Sequence, residues 1–371
     1  MKVPQIDLTR QHLALKEELL AAVDRVLTRG RFILGPEGEA LEAEISAIAG
    51  VRYGIGVGSG TDAIRLALQA IGVGPGDEVV TSAFSFVASA TPIAQLGARP
   101  VFADVERETL TVDPDAVARA ITPKTRALIP VHLFGHPAEM ARLQALARSH
   151  GIAIIEDAAQ AIGASYDGHP VGSLGDLGCF SFYPTKNLGA CGDAGMVVTD
   201  REELALQVRR LRDHGARERY HHIEIGLNSR LDEIQAAILR VKLCHFPHWT
   251  ETRRRLAQRY SERLAGLPLR LPVERPPGRH VYHHYTVRTP ERDALAKTLA
   301  DAGIGTALHY PHPLPSQPVF SHLGARPEEY PEAWEASREV LSLPCFPELT
   351  DAEIERVVSV ISEFFEGEVR R

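Results

Sequence analysis

The sequence is poor in cysteine. Only four cysteines occur among 371 residues, and no two of them form a CxxC pair. This spacing argues against a disulfide framework, a zinc knuckle and a redox motif. We therefore predict reduced thiols at Cys179, Cys191, Cys244 and Cys345.

The chain also lacks an excess of positive charge and a long apolar run. Forty-one lysines and arginines stand against 48 aspartates and glutamates, a formal net charge of −7 at pH 7. That balance disfavours binding to a nucleic-acid backbone. No segment has about 18 uninterrupted apolar residues, and the first residues lack the pattern of a secretion signal. We expect no nucleic-acid partner, no membrane attachment and a cytoplasmic location.

What the chain does contain is typical of a globular protein. Hydrophobic residues make up 44% of it and charged residues 24%, which excludes disorder, collagen-like repeats and a coiled coil. At about 100–200 residues per domain, its length predicts about two domains.

The first part of the chain alternates between strand and helix patterns. Two amphipathic helices come first, one ending at Gly30 and one beginning at Pro36. From residue 54 onward, short apolar runs alternate with helical patterns, and two more buried strands are predicted at 178–184 and 195–200. We therefore predict an α/β fold with a mostly parallel sheet covered by helices on both faces.

The pattern changes near residue 250. A helix predicted at 231–247 is followed by a charge-rich stretch, 251–266, which predicts a long exposed helix leading out of the large domain. The remainder predicts a strand at 281–289, a helix at 291–303, a strand at 304–311 and a final helix after a capping box of Thr350 and Glu353. We predict a large domain over 1–250 and a smaller C-terminal α/β domain over 251–371.

The segment SGTDAIRLALQAIG, residues 59–72, begins a helix directly after a strand. Gly60 and Thr61 then lie in the first helical turn, where free N–H groups and the helix dipole favour a phosphate. Ser59 and Thr61 are equally typical of residues that only cap a helix. The segment alone leaves both interpretations open.

A second segment places a carboxylate at a strand end. The apolar run 152–155 ends in Glu156 and Asp157, followed by Gln160. Carboxyl ends of parallel strands open onto the ligand crevice. Asp157 could cap a helix there, or keep a heteroaromatic nitrogen protonated so that the ring withdraws electrons.

A third segment contains one lysine. Lys186 follows Phe180, Phe182 and Tyr183 and precedes small residues. A lone lysine is usually a solvated surface charge. These flanks instead predict a partly buried amine, shifted toward the neutral nucleophile that a Schiff base requires.

Together the segments supply a helix start for a phosphate, an aspartate about 100 residues further on and a lysine about 30 residues after that, which are the contacts of pyridoxal 5′-phosphate (PLP). The sequence resembles the sugar aminotransferases of the DegT/StrS family, PLP enzymes with the type I (aspartate aminotransferase) fold. The motifs match in order, from QIDL to SLPCFPELT. The resemblance implies the type I fold, PLP as cofactor, and transamination of a nucleotide-linked keto-sugar to an amino-sugar.

The resemblance also implies a role for each matched residue. Lys186 is the implied catalytic lysine, which forms the Schiff base with PLP and then moves protons. Asp157 pairs with the ring nitrogen, and Gln160 bonds the ring hydroxyl. The remaining implied cofactor contacts are Gly60, Thr61 and Ser181 at the phosphate and Phe86 stacked on the ring, where an ordinary core phenylalanine is the alternative.

Residues 219–238, RYHHIEIGLNSRLDEIQAAI, resemble the stretch that reaches the neighbouring subunit's active site in this family. They imply a homodimer in which Asn228 contacts the phosphate and Arg230 lies near the substrate. Taken alone, Asn228 could be a helix cap. The motif NSRLDE resembles members that act on 3-keto sugars, so we expect a 3-keto sugar, and Arg230 could pair with a uronate carboxylate.

Residues 308–320, LHYPHPLPSQPVF, resemble the family's HYPxPLHxQ loop over the sugar. His309 and Tyr310 match the motif and are expected to bind substrate. Pro315 replaces the histidine of many members, and His312 occupies a variable position. The sugar contact at that place is therefore expected to differ.

The resemblance implies L-glutamate as the amino donor of a ping-pong cycle. A dehydratase or other lyase on the same fold is one alternative, although dehydratases of this family that make 3-deoxy sugars carry histidine where Lys186 stands. A non-catalytic regulator that binds PLP or a sugar nucleotide is another, although no basic helix-turn-helix precedes the fold.

The sixteen histidines do not predict a metal site. His132 and His136 have the i, i+4 spacing of helical ligands, but they follow an apolar run and are expected at a strand end and turn. The adjacent pairs 221–222 and 283–284 point apart on a helix or strand. We predict no metal.

Overall fold

The computed structural model describes residues 1–369. The helices are α1 (Leu8–Ala14), α2 (Lys16–Arg29), α3 (Pro36–Ala49), α4 (Gly60–Ala70), α5 (Thr91–Gln95), α6 (Pro114–Ala120), α7 (Met140–His150), α8 (Glu202–Leu211), α9 (Glu233–Leu264), α10 (Arg292–Asp301), α11 (Pro331–Glu339) and α12 (Asp351–Val369). The strands are β1 (Tyr53–Val57), β2 (Glu78–Ser82), β3 (Arg99–Ala103), β4 (Thr125–Ile129), β5 (Ala153–Asp157), β6 (Ser165–Tyr166), β7 (His169–Pro170), β8 (Leu177–Ser181), β9 (Gly195–Thr199), β10 (Ala216–Glu218), β11 (His221–His222), β12 (Gly278–Arg279), β13 (Tyr285–Arg288) and β14 (Val340–Leu343).

A seven-stranded sheet lies at the centre of the first part of the chain, in the order β1-β9-β8-β5-β4-β2-β3. Strands β3, β2, β4, β5 and β8 run parallel to one another, and β9 runs antiparallel to both β1 and β8. The prediction of a mostly parallel sheet is therefore confirmed. Its strands read as continuous apolar runs because both faces are covered.

Helices cover the two faces of the sheet. Alternate residues of one strand point to opposite faces: Val79 packs in a core with α4 and α8, whereas Val80 packs with α6 and α7. On this second face, α3 and α9 cover the β8 and β9 end. The predicted starts and ends of the first two amphipathic helices are also confirmed, since α2 ends before Gly30 and α3 begins at Pro36.

Helix α9 differs from the prediction. The helix predicted at 231–247 and the charge-rich stretch after it form one helix that continues through Pro247. The prediction of an exposed helix was wrong, because Arg253, Leu256 and Tyr260 in its second half are buried. The predicted boundary near residue 250 falls inside this helix, and the division into 1–250 and 251–371 stays a prediction.

The C-terminal part is built on an antiparallel pair, β13 with β14, packed against α10 and α12. The capping box is confirmed, because the Thr350 N–H donates to Glu353 Oε2 at 2.9 Å and the Glu353 N–H to Thr350 Oγ1 at 3.3 Å. The strand predicted at 304–311 is wrong: this proline-containing stretch makes only isolated bridges, at Ile304 and Ala307.

Two features of the chain as a whole bear on its class. All four cysteines are free thiols, as predicted. Across the described helices, none is both long and apolar enough to cross a lipid bilayer.

Glu156 fixes the backbone beside the end of β5. Its carboxylate is fully buried. Four donors surround it: His132 Nε2 at 2.9 Å, and the N–H groups of Gly172, Leu174 and Gly175 at 2.7–2.8 Å. Because every donor aims at this carboxylate, the strand end is held in one position.

Replacement of Glu156 by glutamine turns an acceptor oxygen into an NH₂ group that faces these donors. We expect the free energy of unfolding to fall by about 3 kcal/mol or more, the usual cost of breaking a buried charged network. Chemical denaturation measures the difference. The exposed Glu202→Gln is the control and should stay within about 0.5 kcal/mol of the wild type. Equal stability of Glu156→Gln would contradict this role.

Candidate active site

A cavity of about 520 Å³ lies at the carboxyl ends of β5 and β8. This is the edge where parallel sheets bind ligands. The structure brings together nine of the eleven predicted site residues as its lining: Gly60, Thr61, Phe86, Asp157, Gln160, Ser181, Lys186, His309 and Tyr310. Their individual roles stay predictions.

Asp157 is the buried carboxylate of the cavity and is only 5% exposed. Its Oδ2 accepts a hydrogen bond from Ser89 Oγ at 2.7 Å, and its Oδ1 accepts from the Ala159 N–H at 3.2 Å. These bonds orient the side chain and cap a turn rather than a helix. No cationic side chain within residues 1–369 lies in salt-bridge contact with it, which suits a carboxylate that receives a protonated ring nitrogen.

Gln160 joins the cavity floor to its cover. Its Oε1 accepts from the Phe134 N–H at 2.7 Å, and its Nε2 donates to the Tyr310 hydroxyl at 2.9 Å. Burial raises the pKa of Tyr310 above its usual range. The phenol is therefore protonated at neutral pH and can donate a hydrogen bond to a ligand.

Lys186 supplies the amine. It lies in the loop between β8 and β9, where its N–H donates to the Tyr183 carbonyl at 2.8 Å. Burial lowers its pKa from 10.5 to about 8, against an opposing effect of Asp157. At pH 7 about a tenth of Lys186 is therefore neutral, compared with about one in three thousand for an exposed lysine.

The first turn of α4 forms an anion cradle. Ser59 caps the helix, with its Oγ accepting from the Asp62 N–H at 3.1 Å, so the capping interpretation holds for Ser59. The N–H groups of Gly60 and Thr61 have no acceptor within the helix. A Cβ on Gly60 would lie 2.6 Å from the Cβ of Ser181. Glycine thus allows Ser181 to approach these N–H groups, as a phosphate site requires.

Stacked imidazoles form one wall of the cavity. The rings of His284 and His309 lie 3.8 Å apart at 11°, and His309 Nδ1 is 2.9 Å from Ser342 Oγ. Burial lowers the pKa of His309 to about 4 and the pKa values of His283 and His284 well below their usual range. All three rings are therefore neutral at pH 7 and offer hydrogen bonds rather than charge.

Phe86 lies in the lining and is 54% exposed. The alternative interpretation of Phe86 as an ordinary core residue is therefore wrong. Its ring centroid is 6.1 Å from that of Tyr310. In the segment 308–320, Pro315 is buried in a short turn and His312 is exposed, and neither lines the cavity.

Asn228 and Arg230 do not line this cavity. Asn228 is exposed, and the N-cap of α9 is Asp232, so the helix-cap alternative for Asn228 is wrong. Arg230 pairs with Asp213 at 2.8 Å beside a second surface cavity. Asn228 is thus exposed at the surface, whereas Arg230 is half-buried beside that surface cavity.

Ser229 turns the other way and holds this segment to the anion cradle. It is buried, its Oγ donates to Asp62 Oδ2 at 2.8 Å, and the Gly58 N–H donates to it at 3.0 Å. The alternation of an extended backbone places Ser229 inward and its two neighbours outward.

The polar residues of the cavity that sequence reasoning missed include Ser89, His283, His284 and Arg253. Ser89 stands three positions after Phe86 in a matched motif, which was an available signal. The two histidines were considered only as metal ligands, and Arg253 was lost in a basic stretch.

The histidines considered as metal ligands are engaged elsewhere. His132 Nδ1 accepts from the Ala138 N–H at 3.0 Å, which places its ring proton on Nε2, toward Glu156. His136 bonds the Pro137 carbonyl and the Arg275 N–H. Among the described residues, no group of three or more histidine, cysteine or acidic side chains could hold a metal ion.

The donor set of the cavity fits PLP. It combines a glycine-lined cradle for a phosphate, a buried carboxylate that makes no salt bridge within residues 1–369, and a lysine with a lowered pKa. No redox or metal ligand set competes with it among the residues described here.

Comparisons with known proteins agree with this chemistry. Three relatives align with this chain over 97–99% of their own length. A "pleiotropic regulatory protein" of Geobacillus stearothermophilus is 50% identical to it. A UDP-N-acetyl-3-dehydro-alpha-D-glucosamine 3-aminotransferase of Acidithiobacillus ferrooxidans is 47% identical, and a dTDP-3-amino-3,4,6-trideoxy-alpha-D-glucose transaminase of Streptomyces venezuelae is 46% identical. Each alignment spans 98% of this chain.

Solved structures give the same result. DesV of S. venezuelae, crystallised with a ketimine intermediate, is 46% identical, with a TM-score of 0.96 over 98% of this chain and 99% of that one. NtdA of Bacillus subtilis, with bound cofactor PMP, is 32% identical, with a TM-score of 0.90 over 98% of this chain and 85% of that one. The model of the DegT/DnrJ/EryC1/StrS aminotransferase family matches residues 13–362. The chain belongs to the DegT/DnrJ/EryC1/StrS aminotransferase family.

Proposed function

We propose that the protein is a PLP-dependent aminotransferase that converts a nucleotide-linked 3-keto-sugar into the amino-sugar. L-Glutamate is the donor, and the enzyme works as a cytoplasmic homodimer. The observation that carries the proposal is the meeting of the Lys186 amine and the Asp157 carboxylate in one cavity beside the α4 cradle. The names of two relatives specify a sugar with nitrogen at carbon 3. This position agrees with the expectation from the NSRLDE motif.

The geometry of the cavity supports a role for each predicted cofactor residue. When bound, PLP supplies an aldehyde that condenses with amines and a ring that withdraws electrons from the carbon next to the amine. Asp157, oriented by Ser89, would hold the ring nitrogen protonated. Gly60, Thr61 and Ser181 would hold the phosphate, Gln160 the ring hydroxyl and Phe86 the ring face.

Lys186 would carry the proton transfers. Its lowered pKa keeps part of the amine neutral, so it can take a proton from the α-carbon of the donor and deliver it as an acid. In the second half of the cycle the same amine would move the proton back, toward the carbon that bears the sugar nitrogen. His309 and Tyr310 would bind the sugar through neutral, hydrogen-bonding groups.

The dimer is proposed from the outward-facing segment. Asn228 is exposed and Arg230 lines a surface cavity, next to exposed apolar residues of the β10–β11 region: Tyr220, Ile223 and Ile225. A second copy of the chain would cover these side chains. Asn228 of one subunit would then contact the phosphate bound in the other subunit, and Arg230 would contact the substrate bound there. Ser229 would fix the presentation of both, because it is tied to Asp62 of the cradle.

A regulatory role is the second candidate, since the relative at 50% identity is named a pleiotropic regulatory protein. A regulator has no need of a general base, whereas this cavity retains a lysine with a lowered pKa. A lyase would release a deoxy-sugar without nitrogen. Product analysis separates all three.

The first prediction concerns the product. Protein loaded with PLP, given L-glutamate and a UDP- or dTDP-linked 3-keto-hexose, should form the amino-sugar and 2-oxoglutarate, detected by mass spectrometry. Lys186→Ala should lower turnover by at least about 100-fold, the low end for loss of a general base.

Two further results decide this assignment. A deoxy-sugar as product would indicate a lyase, and normal turnover by Lys186→Ala would contradict the assignment of the lysine. The matching 4-keto-sugars test the expected carbon, because faster amination of these would overturn the 3-keto proposal.

The second prediction concerns the shared site. Lys186→Ala chains and Asn228→Ala/Arg230→Ala chains, co-expressed with different tags and purified through both, should form mixed dimers with one complete site. We expect about half of the wild-type activity per dimer, whereas each variant homodimer loses at least about tenfold. Mixed dimers no more active than the homodimers would show that the sites are not shared.

A further inference from the structure

Arg253 is a buried cation without a carboxylate partner. It lies on α9, is 4% exposed and lines the same cavity as Lys186. No carboxylate within residues 1–369 lies in salt-bridge contact with it. Burial lowers the pKa of Arg253 below its usual range, yet a guanidinium stays charged in proteins.

Only one corner of this guanidinium is hydrogen-bonded. Nη1 donates to the Cys345 carbonyl at 2.6 Å, and more weakly to the carbonyls of Tyr282 and His283 at 3.5 and 3.4 Å. Nε is buried without a partner, and Nη2 donates to no residue in the described part of the chain. The contacts to carbonyl groups therefore use only Nη1 of the guanidinium and leave Nε and Nη2 without an acceptor in the described part of the chain.

A short chain of contacts links Arg253 to Lys186. Nη1 of Arg253 lies 3.4 Å from the His283 carbonyl, and His283 Nδ1 lies 3.2 Å from Oδ1 of Asn187, the residue after Lys186. The histidines between the two cations are neutral, so they do not compensate either charge. The lysine and the guanidinium thus lie on either side of His283 and line one cavity, which a single ligand can occupy.

A buried charge is normally paired, because desolvation of an isolated ion costs several kcal/mol. The other acidic side chain of the lining besides Asp157 is Asp193, which is exposed. Glu348 acts on the guanidinium only through space and forms no salt bridge with it, so an anion in direct contact with Arg253 would come from a ligand in the cavity. We propose that Arg253 binds a carboxylate of the amino donor.

The inference rests on the proposed transamination, and it explains how one cavity serves two unlike substrates. A neutral keto-sugar offers no carboxylate to Arg253 and uses the neutral histidines and Tyr310. An amino acid offers a carboxylate, for which a guanidinium fork is the best protein partner. Arg253 would thus position the donor and leave the sugar half of the cycle unaffected.

The kinetic test uses Arg253→Gln and Arg253→Lys in the PLP-loaded protein, with Arg255→Gln as the control on the exposed side of the same helix. Arg253→Gln should raise the KM for L-glutamate about 10- to 100-fold, the effect of a lost charged hydrogen bond. Its single-turnover rate with a nucleotide-linked 3-keto-sugar whose sugar ring carries no carboxylate should change less than about threefold. Arg253→Lys should be intermediate, and the control unchanged. Equal losses in both half-reactions would show a structural role and overturn the inference.

L-Glutamine indicates which carboxylate is bound, because it keeps the α-carboxylate and lacks the γ-carboxylate. A similar KM increase with both donors assigns Arg253 to the α-carboxylate. An increase with L-glutamate alone assigns it to the γ-carboxylate.

A binding measurement needs no turnover, so it separates this inference from the proposed function. Glutarate, which has both donor carboxylates and no amine, should bind the wild type in calorimetry, with at least about tenfold weaker binding to Arg253→Gln. Should that variant fail to fold, a crystal structure of the wild type with glutarate decides. A carboxylate within hydrogen-bond distance of Arg253 supports the inference. No binding, binding unchanged by Arg253→Gln, or a carboxylate bound elsewhere overturns it.

Discussion

The end of β5 places two carboxylates next to each other in the chain, and their side chains point in opposite directions. Glu156 points away from the cavity, where three N–H groups and His132 hold it. Because neighbouring side chains on a strand point to opposite faces, this anchor forces Asp157 toward the cavity. Gln160, three positions later, then meets Tyr310 from the C-terminal part of the chain. Lys186, His309 and Tyr310 line the cavity that opens at this one strand end.

The cavity contains charges and bases that the protein does not compensate by itself. Within residues 1–369, Asp157 makes no salt bridge, Lys186 has a lowered pKa, and Arg253 makes no salt bridge with a carboxylate. Such groups cost stability in the empty site and are compensated when ligands arrive. PLP would compensate Asp157 and Lys186, and an amino acid would compensate Arg253. The neutral histidines complete the site without adding a charge that a sugar would have to desolvate.

The sequence was sufficient for features that depend on local pattern. Apolar runs and helix caps predicted the parallel sheet and the first helices, and ordered motifs pointed to Lys186 and Asp157. Patterns failed where tertiary contacts decide. Pro247 lies inside α9 because buried residues both before and after it in the sequence hold that helix in place. The stretch 304–311 bends into the cavity instead of forming a strand. Ser89 contacts Asp157, which is 68 residues away in the sequence, and Arg253 contacts Cys345, which is 92 residues away. A pattern of neighbouring residues in the sequence cannot reveal such contacts.

The central claim is that Lys186 and Asp157 together allow a donor amine to be transferred. The most direct measurement is the visible spectrum of the PLP-loaded protein before and after addition of L-glutamate, with no sugar present. The account predicts that the band of the lysine-bound cofactor disappears and the spectrum of pyridoxamine phosphate replaces it. A cofactor band that L-glutamate leaves unchanged would contradict the assigned half-reaction, and a protein that develops no such band with PLP would contradict the role of Lys186.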